Sequence, residues 1–361
     1  MGSESFWNKI IKSKTVLPTR IAIKPANVDI GDQFKTVFEQ DKHYFSIRVN
    51  EMFLSNKRSW FYEYDPIVFV LTEFIYGTKE VSYPFVVGKS MMDAKKMQVP
   101  QGMIFSDTRV AGLHPYAGGT LTLSIVLGQM KTNDYLEKLL NLIETFSGAV
   151  NQNIAGILSN AVGVAKVVID GMDSLFDAEE VQPILGTRKE FDPDSKDVFM
   201  PGYFALINKP ENQLESSKFF VKENQLHAGD NMESAKPYRD SDYVLYSIVN
   251  SSTRSDDKTL SFYPLWKDLE NYAGDLEQVQ DRDRELLNSK LVALNSAIRR
   301  SNDLTSGQKA QLMESYHDQL SAIITPKKPL GETKQLKAPE FEDELEKNLY
   351  DLDTKVFTLK I

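Results

Sequence analysis

Chemistry in this chain is to be sought first at Asp107-Thr108-Arg109-Val110-Ala111-Gly112-Leu113-His114-Pro115-Tyr116-Ala117-Gly118-Gly119. The stretch groups a carboxylate, a guanidinium, an imidazole and a phenol with glycines and a proline, and it reads as a loop whose backbone is free of ladder duties. In a hydrolase or lyase built on Asp107, Arg109 and His114, the imidazole would be the general base, oriented by a carboxylate, and Arg109 would hold an anionic group. In a binding protein, Arg109, His114 and Tyr116 would be contact residues. The plainer alternative is that Asp107 and Arg109 pin the loop ionically while His114-Pro115-Tyr116 packs as a turn.

Other constellations are weaker. Val87-Gly88-Lys89-Ser90 carries the end of a phosphate-binding loop, but the position of the required earlier glycine is Tyr83, so the backbone cradle is missing. His43, His114, His227 and His317 form no metal-binding pair, and each stands in a different expected element. Asp192, Asp194 and Asp197 are spaced like the start of a calcium loop, yet the carboxylate that closes such a loop falls at Tyr203. A solvated turn accounts for the same letters, and no metal is assigned. Neither a nucleophile elbow nor a dinucleotide fingerprint is present. No cofactor is expected.

Composition bounds the rest. A chain of 361 residues with 41% hydrophobic and 11% aromatic residues can bury a core. It has no cysteine, which removes thiolate nucleophiles, disulfides and cysteine-based metal sites and is compatible with an intracellular, cytoplasmic home. Phe6-Trp7-Asn8-Lys9-Ile10-Ile11-Lys12 lacks a continuous apolar core, so the start does not read as a signal peptide. The net charge of −9 is uneven, with 15 Lys+Arg against 12 Asp+Glu in residues 1–130 and 27 against 39 beyond. Neither part has the dense basic face that a phosphate backbone requires, so nucleic acid is not an expected partner.

These residues must be positioned by elements of two kinds. Residues 1–130 read as a β-rich region, with strands at Arg20–Lys24, His43–Asn50, Ile67–Leu71, Val81–Val87 and Thr120–Val126. Residues 131–176 read as a helical segment that begins with Tyr135, Leu136, Leu139, Leu140, Ile143 and Phe146 at helical spacing and continues rich in small residues. Within it, Thr145 to Ala165 holds no charge at all. Its length would suit a membrane span, but Asn151, Gln152, Asn153 and Asn160 argue for a packed small-faced helix. Strands return over 177–260, at Tyr203–Ile207, Phe219–Leu226 and Tyr243–Val249, in a second β-rich region packed on the first. Residues 261–325 hold a helical hairpin. Leu287, Leu291, Leu294 and Ile298 line one helix, Met313, Tyr316, Leu320 and Ile324 the other, and Thr305-Ser306-Gly307-Gln308 has the form of a capping box. Residues 326–361 are a linker and tail, in which Phe341, Leu345 and Leu349 form a short apolar stripe suited to capture by a partner.

The fold class expected is α+β, with a β-sandwich-like or open-barrel core, an inserted helical segment and a C-terminal helical hairpin. The function expected is non-enzymatic: a protein-interaction or regulatory subunit of a larger assembly, with a protein partner. The alternatives are a membrane-active, pore-forming effector using residues 145–170, and the hydrolase of the 107–119 loop.

Overall fold

The thirteen-residue run Tyr64–Tyr76, dense in β-branched and aromatic residues, sets the character of the first part of the chain. The computed structural model describes residues 18–29, 34, 36–55, 64–88, 108–131, 181–192 and 198–327. The chain divides into two units, Met1–Ser252 and Thr253–Ile361.

The first unit contains β1 (Thr19–Ala22), β2 (Tyr44–Phe53), β3 (Tyr64–Tyr76), β4 (Lys79–Gly88), β5 (Thr108–Pro115) and β6 (Leu121–Lys131). It continues with β7 (Val181–Phe191), β8 (Gly202–Ile207), β9 (Phe219–Lys222), β10 (Gln225–Ala228), β11 (Lys236–Pro237) and β12 (Tyr243–Ser251). Among the described residues these make three antiparallel sheets. The central sheet has the order β1-β8-β12-β2-β5, the second β4-β3-β6-β7 and the small one β11-β10-β9. Strands from residues 1–130 and from residues 177–260 therefore interleave in one sheet.

Side-chain alternation fixes the layering. On one face of the central sheet Phe45, Ile47, Val49, Phe204, Leu206, Val244, Tyr246 and Ile248 join Val68, Val70, Leu123, Ile125 and Leu127 of the second sheet in one core, which is a β-sandwich. On the other face Tyr203, Ala205, Ile207, Tyr243 and Leu245 join Phe219, Val221 and Leu226 of the small sheet. The central sheet is covered on both sides, so β8 reads as a continuous apolar run. Each fully buried aliphatic or phenyl side chain contributes about 1.5–3 kcal/mol. A one-residue slip would exchange the two faces, so the register is strongly determined.

The second unit contains α1 (Tyr263–Asp275), α2 (Asp281–Arg300) and α3 (Ser306–Ile324). The stripes Leu287-Leu291-Leu294-Ile298 and Met313-Tyr316-Leu320-Ile324 are buried together with Phe262, Trp266 and Leu269. The Trp266 and Tyr316 rings stack with centroids 4.5 Å apart. No helix among the described residues is long and apolar enough to cross a membrane.

The α+β class and the sandwich core agree with the expectation from sequence, and four local readings are corrected. The stretch expected to be a loop is strand β5 from Thr108 to Pro115. It tolerates glycine and proline because it is an edge strand, and its register against β2 shifts twice, each shift leaving an extra residue on β5. Phe219–Leu226 is a hairpin rather than one strand. Glu223 and Asn224 turn it with φ of 50° and 62°, and Asp29 Oδ2 accepts the Glu223 N–H at 2.7 Å. The helical hairpin gains a third helix, α1, whose Pro264 sits in the first turn, where its missing N–H costs nothing. At Thr305 the hydroxyl accepts from the Gln308 N–H as expected, but the Gln308 side chain does not return to Thr305. It pairs instead with the Arg254 peptide, accepting its N–H at 2.9 Å and donating to its carbonyl at 2.7 Å.

Candidate functional site

The parity of β2 changes midway. Phe45, Ile47 and Val49 enter the sandwich core, but so do Met52 and Leu54. The break is a bulge: Leu245 lies opposite Glu51 and Tyr246 opposite Val49, which leaves Asn50 as the extra residue. Bulges re-aim side chains. Without this one, Glu51 would continue the odd-numbered row into the apolar sandwich. With it, Glu51 shares the face of Leu245 and Phe53 and meets the small sheet.

There the carboxylate is fully buried, with hydrogen bonds at one oxygen and an ion contact at the other. Oε2 accepts the Tyr243 hydroxyl at 2.6 Å and the Leu226 N–H at 2.8 Å, while Oε1 lies 2.9 Å from Arg239 Nη2. Arg239 also donates to the Tyr243 hydroxyl and to the Tyr238 carbonyl, and its guanidinium covers the Phe53 ring at 4.8 Å. Burial, then the Glu51 charge, pushes the Tyr243 phenol well above the ordinary tyrosine range. The phenol therefore acts as a fixed donor, not as an acid or a base. The arrangement clasps β10 and the β11–β12 connection to β2, and its polar atoms are spent on that task.

The residues favoured from sequence separate. Arg109 lies opposite Arg48, on the face away from the sandwich, whereas Ala111 opposite Ile47 and His114 opposite Phe45 are on the sandwich side. Arg109 and His114 thus stand on opposite faces of one sheet and form no joint catalytic constellation. The imidazole of His114 is packed among Phe45, Phe74, Tyr76 and Tyr83, with ring centroids 4.6–6.1 Å away. The ring folds back over Gly112, where a Cβ would come 2.1 Å from its Cδ2, so this glycine is required by close approach. Tyr116 closes the same end of the core, stacked on Phe199 at 5.9 Å and tilted against Phe38 at 5.4 Å, and burial raises its pKa. His114 and Tyr116 are core aromatics here, enclosed rather than presented.

Arg109 differs. It is exposed and makes no hydrogen bond or ion pair among the described residues. Its cross-strand neighbour is the half-buried Arg48, and two like charges directly opposite one another are unfavourable for the ladder. Asp192 follows the end of β7. No three His, Asp or Glu side chains among the described residues converge on a metal-sized site. Asp107, Asp194, Asp197, the uncharged run within residues 145–170 and the tail residues Phe341, Leu345 and Leu349 lie outside the described residues.

Sequence reasoning passed over Glu51, Arg239 and Tyr243. A signal for the first was present: the apolar rows of β2 change parity across Asn50-Glu51, which is how a bulge appears in a sequence. Nothing local marks Arg239 as its partner. No family model matches this chain, and no curated protein or solved structure is similar to it.

Proposed function

We propose that this chain is a non-enzymatic interaction protein, a cytoplasmic subunit of a larger assembly, which holds an acidic protein partner against the β2–β5 margin of its central sheet. The observation that carries this reading is Arg109: exposed, without an ion pair among the described residues, and in register beside Arg48. The exposed Arg109 guanidinium offers a forked donor that matches a carboxylate in geometry, beside a second positive charge at Arg48. Recognition runs through side chains rather than by addition of a strand. The two bulges and Pro115 in β5 spoil the edge as a template for backbone pairing. The division of Arg109 and His114 between two faces supports binding over catalysis.

The test is a pull-down from native lysate read by mass spectrometry, with the wild-type chain, Arg109→Glu and a chain ending at Thr325. A stoichiometric partner that Arg109→Glu loses and the truncated chain keeps is the expected result. A partner lost only on truncation would move the contact to the tail. No partner for the wild-type chain would end the interaction reading.

A further inference from the structure

At the opposite margin of the central sheet a second arginine has a different setting. Arg20 lies opposite Leu206 in the β1–β8 register, and Leu206 belongs to the sandwich core, so Arg20 is on the sandwich side of the edge strand. Its guanidinium carbon is 4.0 Å from the ring centroid of Phe204 in the central sheet and 5.4 Å from that of Phe191 in the second sheet. A cation thus stands between the two sheets at their open margin. Nε donates to the Tyr246 hydroxyl at 2.6 Å, and the Tyr246 ring stacks on Phe204 at 5.3 Å.

None of these neighbours carries a negative charge. Tyr246 is 1% exposed, and burial raises its pKa, so the hydroxyl is a neutral acceptor. No carboxylate among the described residues pairs with Arg20. The terminal nitrogens make no hydrogen bond among the described residues. Charges removed from water are normally paired, and this one is half-buried against rings.

The geometry also does what a receptor needs. Ring contacts occupy the faces of a guanidinium and leave its in-plane donors free. The bond from Nε to Tyr246 fixes the rotation of the fork, so much of the rotamer entropy that an arginine loses on binding, about 2 kcal/mol, is spent on folding instead. An oxyanion meeting this fork would find donors held in place beside two apolar walls, where charge-assisted bonds are stronger than in open water.

We propose that Arg20 anchors an oxyanion-binding site at the β1 margin of the sandwich, taking a carboxylate or phosphate group through its terminal nitrogens between Phe191 and Phe204. Tyr246 acts as a positioning residue, because it touches the guanidinium and not the ligand. The site is independent of Arg109, which lies on the other margin and the other face of the same sheet.

The experiment follows the arginine Nε–H signals of the full chain by NMR, with Arg20 identified by its absence in Arg20→Lys. Inorganic phosphate, acetate and benzoate are each titrated at constant ionic strength, with chloride as the control. A saturable movement of the Arg20 signal with phosphate alone assigns a phosphate site, and one with acetate or benzoate a carboxylate site. Either supports the proposal if Arg20→Lys, which keeps the charge and loses the fork, binds about tenfold more weakly by changes in the surrounding amide signals. Tyr246→Phe should weaken binding while leaving the Phe204 stack in place. Linear shifts equal to those with chloride would overturn the proposal. So would a lowered melting temperature in Arg20→Lys that no anion changes, since that marks a cation which only bridges two sheets.

Discussion

In the β unit the buried Glu51 carboxylate is held by residues far apart in the chain. Glu51 meets Leu226 across 175 positions and Tyr243 across 192. In the helical unit the comparable bonds are mostly local. Gln280 and Asp283 cap α2 across 3 positions, Thr305 receives the Gln308 N–H across 3, and Arg254 binds Asp256 across 2. Three longer steps tie the start of that unit to its end: Gln308 to the Arg254 peptide across 54 positions, Arg254 to the Asp303 carbonyl across 49 and Tyr316 to Asp257 across 59. A bond between distant segments forms only once its sheets have assembled, so its loss is felt by the whole unit. A cap acts on one helix end. The β unit should therefore be sensitive at a few residues, and the helical unit mildly sensitive at many.

Glu51→Ala should have the largest effect. It leaves Arg239, the Tyr243 hydroxyl and the Leu226 N–H without their acceptor, and breaking a buried pair from one side costs about 3–5 kcal/mol. Urea denaturation would measure the loss, and hydrogen exchange should quicken in β10 but not in α2. Equal quickening in both would break the contrast between the units.

High pH should come next. Tyr243 and Tyr246 both have raised pKa values in the folded protein, chiefly through burial. The unfolded chain ionises its tyrosines near ~10. Their contribution is thus intact below that pH and declines above it, by up to about 1.4 kcal/mol per pH unit for each phenol. Tyrosinate absorbance measured beside circular dichroism should show these two phenols ionising only as the β unit unfolds. Ionisation well before unfolding would contradict the buried clasp.

Gln308→Ala should cost about 1–3 kcal/mol, because it orphans both the N–H and the carbonyl of Arg254. Thr305→Ala should cost about 1 kcal/mol, as the loss of a helix cap does. Thermal unfolding of the two variants side by side sharpens the comparison, since the longer-range bond should matter more than the local one even within the helical unit. The smallest effect on stability belongs to Arg109→Glu. It removes a like-charge neighbour of Arg48 and should leave the protein unchanged or more stable by up to about 1 kcal/mol, while partner capture fails. A marked loss of stability would show that Arg109 serves the fold after all.

The stripes of α2 and α3 were legible residue by residue, because a helix writes its buried face at a spacing contained within the segment. Strands β2, β3, β6, β8 and β12 were legible as strands for a similar reason. β5 was not, since Gly112 and Pro115 are turn residues in local terms, and only its position at an edge, with two bulges, makes them acceptable. The candidate site failed for the same reason. As a loop, residues 107–119 could gather Arg109 and His114, but strand β5 sends them to opposite faces.

By itself, then, the sequence determined the α+β class, the helical stripes, the absence of thiol chemistry and the parity change at Asn50-Glu51. Each is a property of residue type or of spacing within a few turns or pleats. Only the tertiary structure decided that Glu51 is answered by Arg239 and Tyr243, that His114 is enclosed by rings from three strands, and that Arg20 stands between two sheets. Antiparallel ladders pair residues by register across long loops. Register is fixed by the burial of whole faces at once, a collective quantity that no single segment carries.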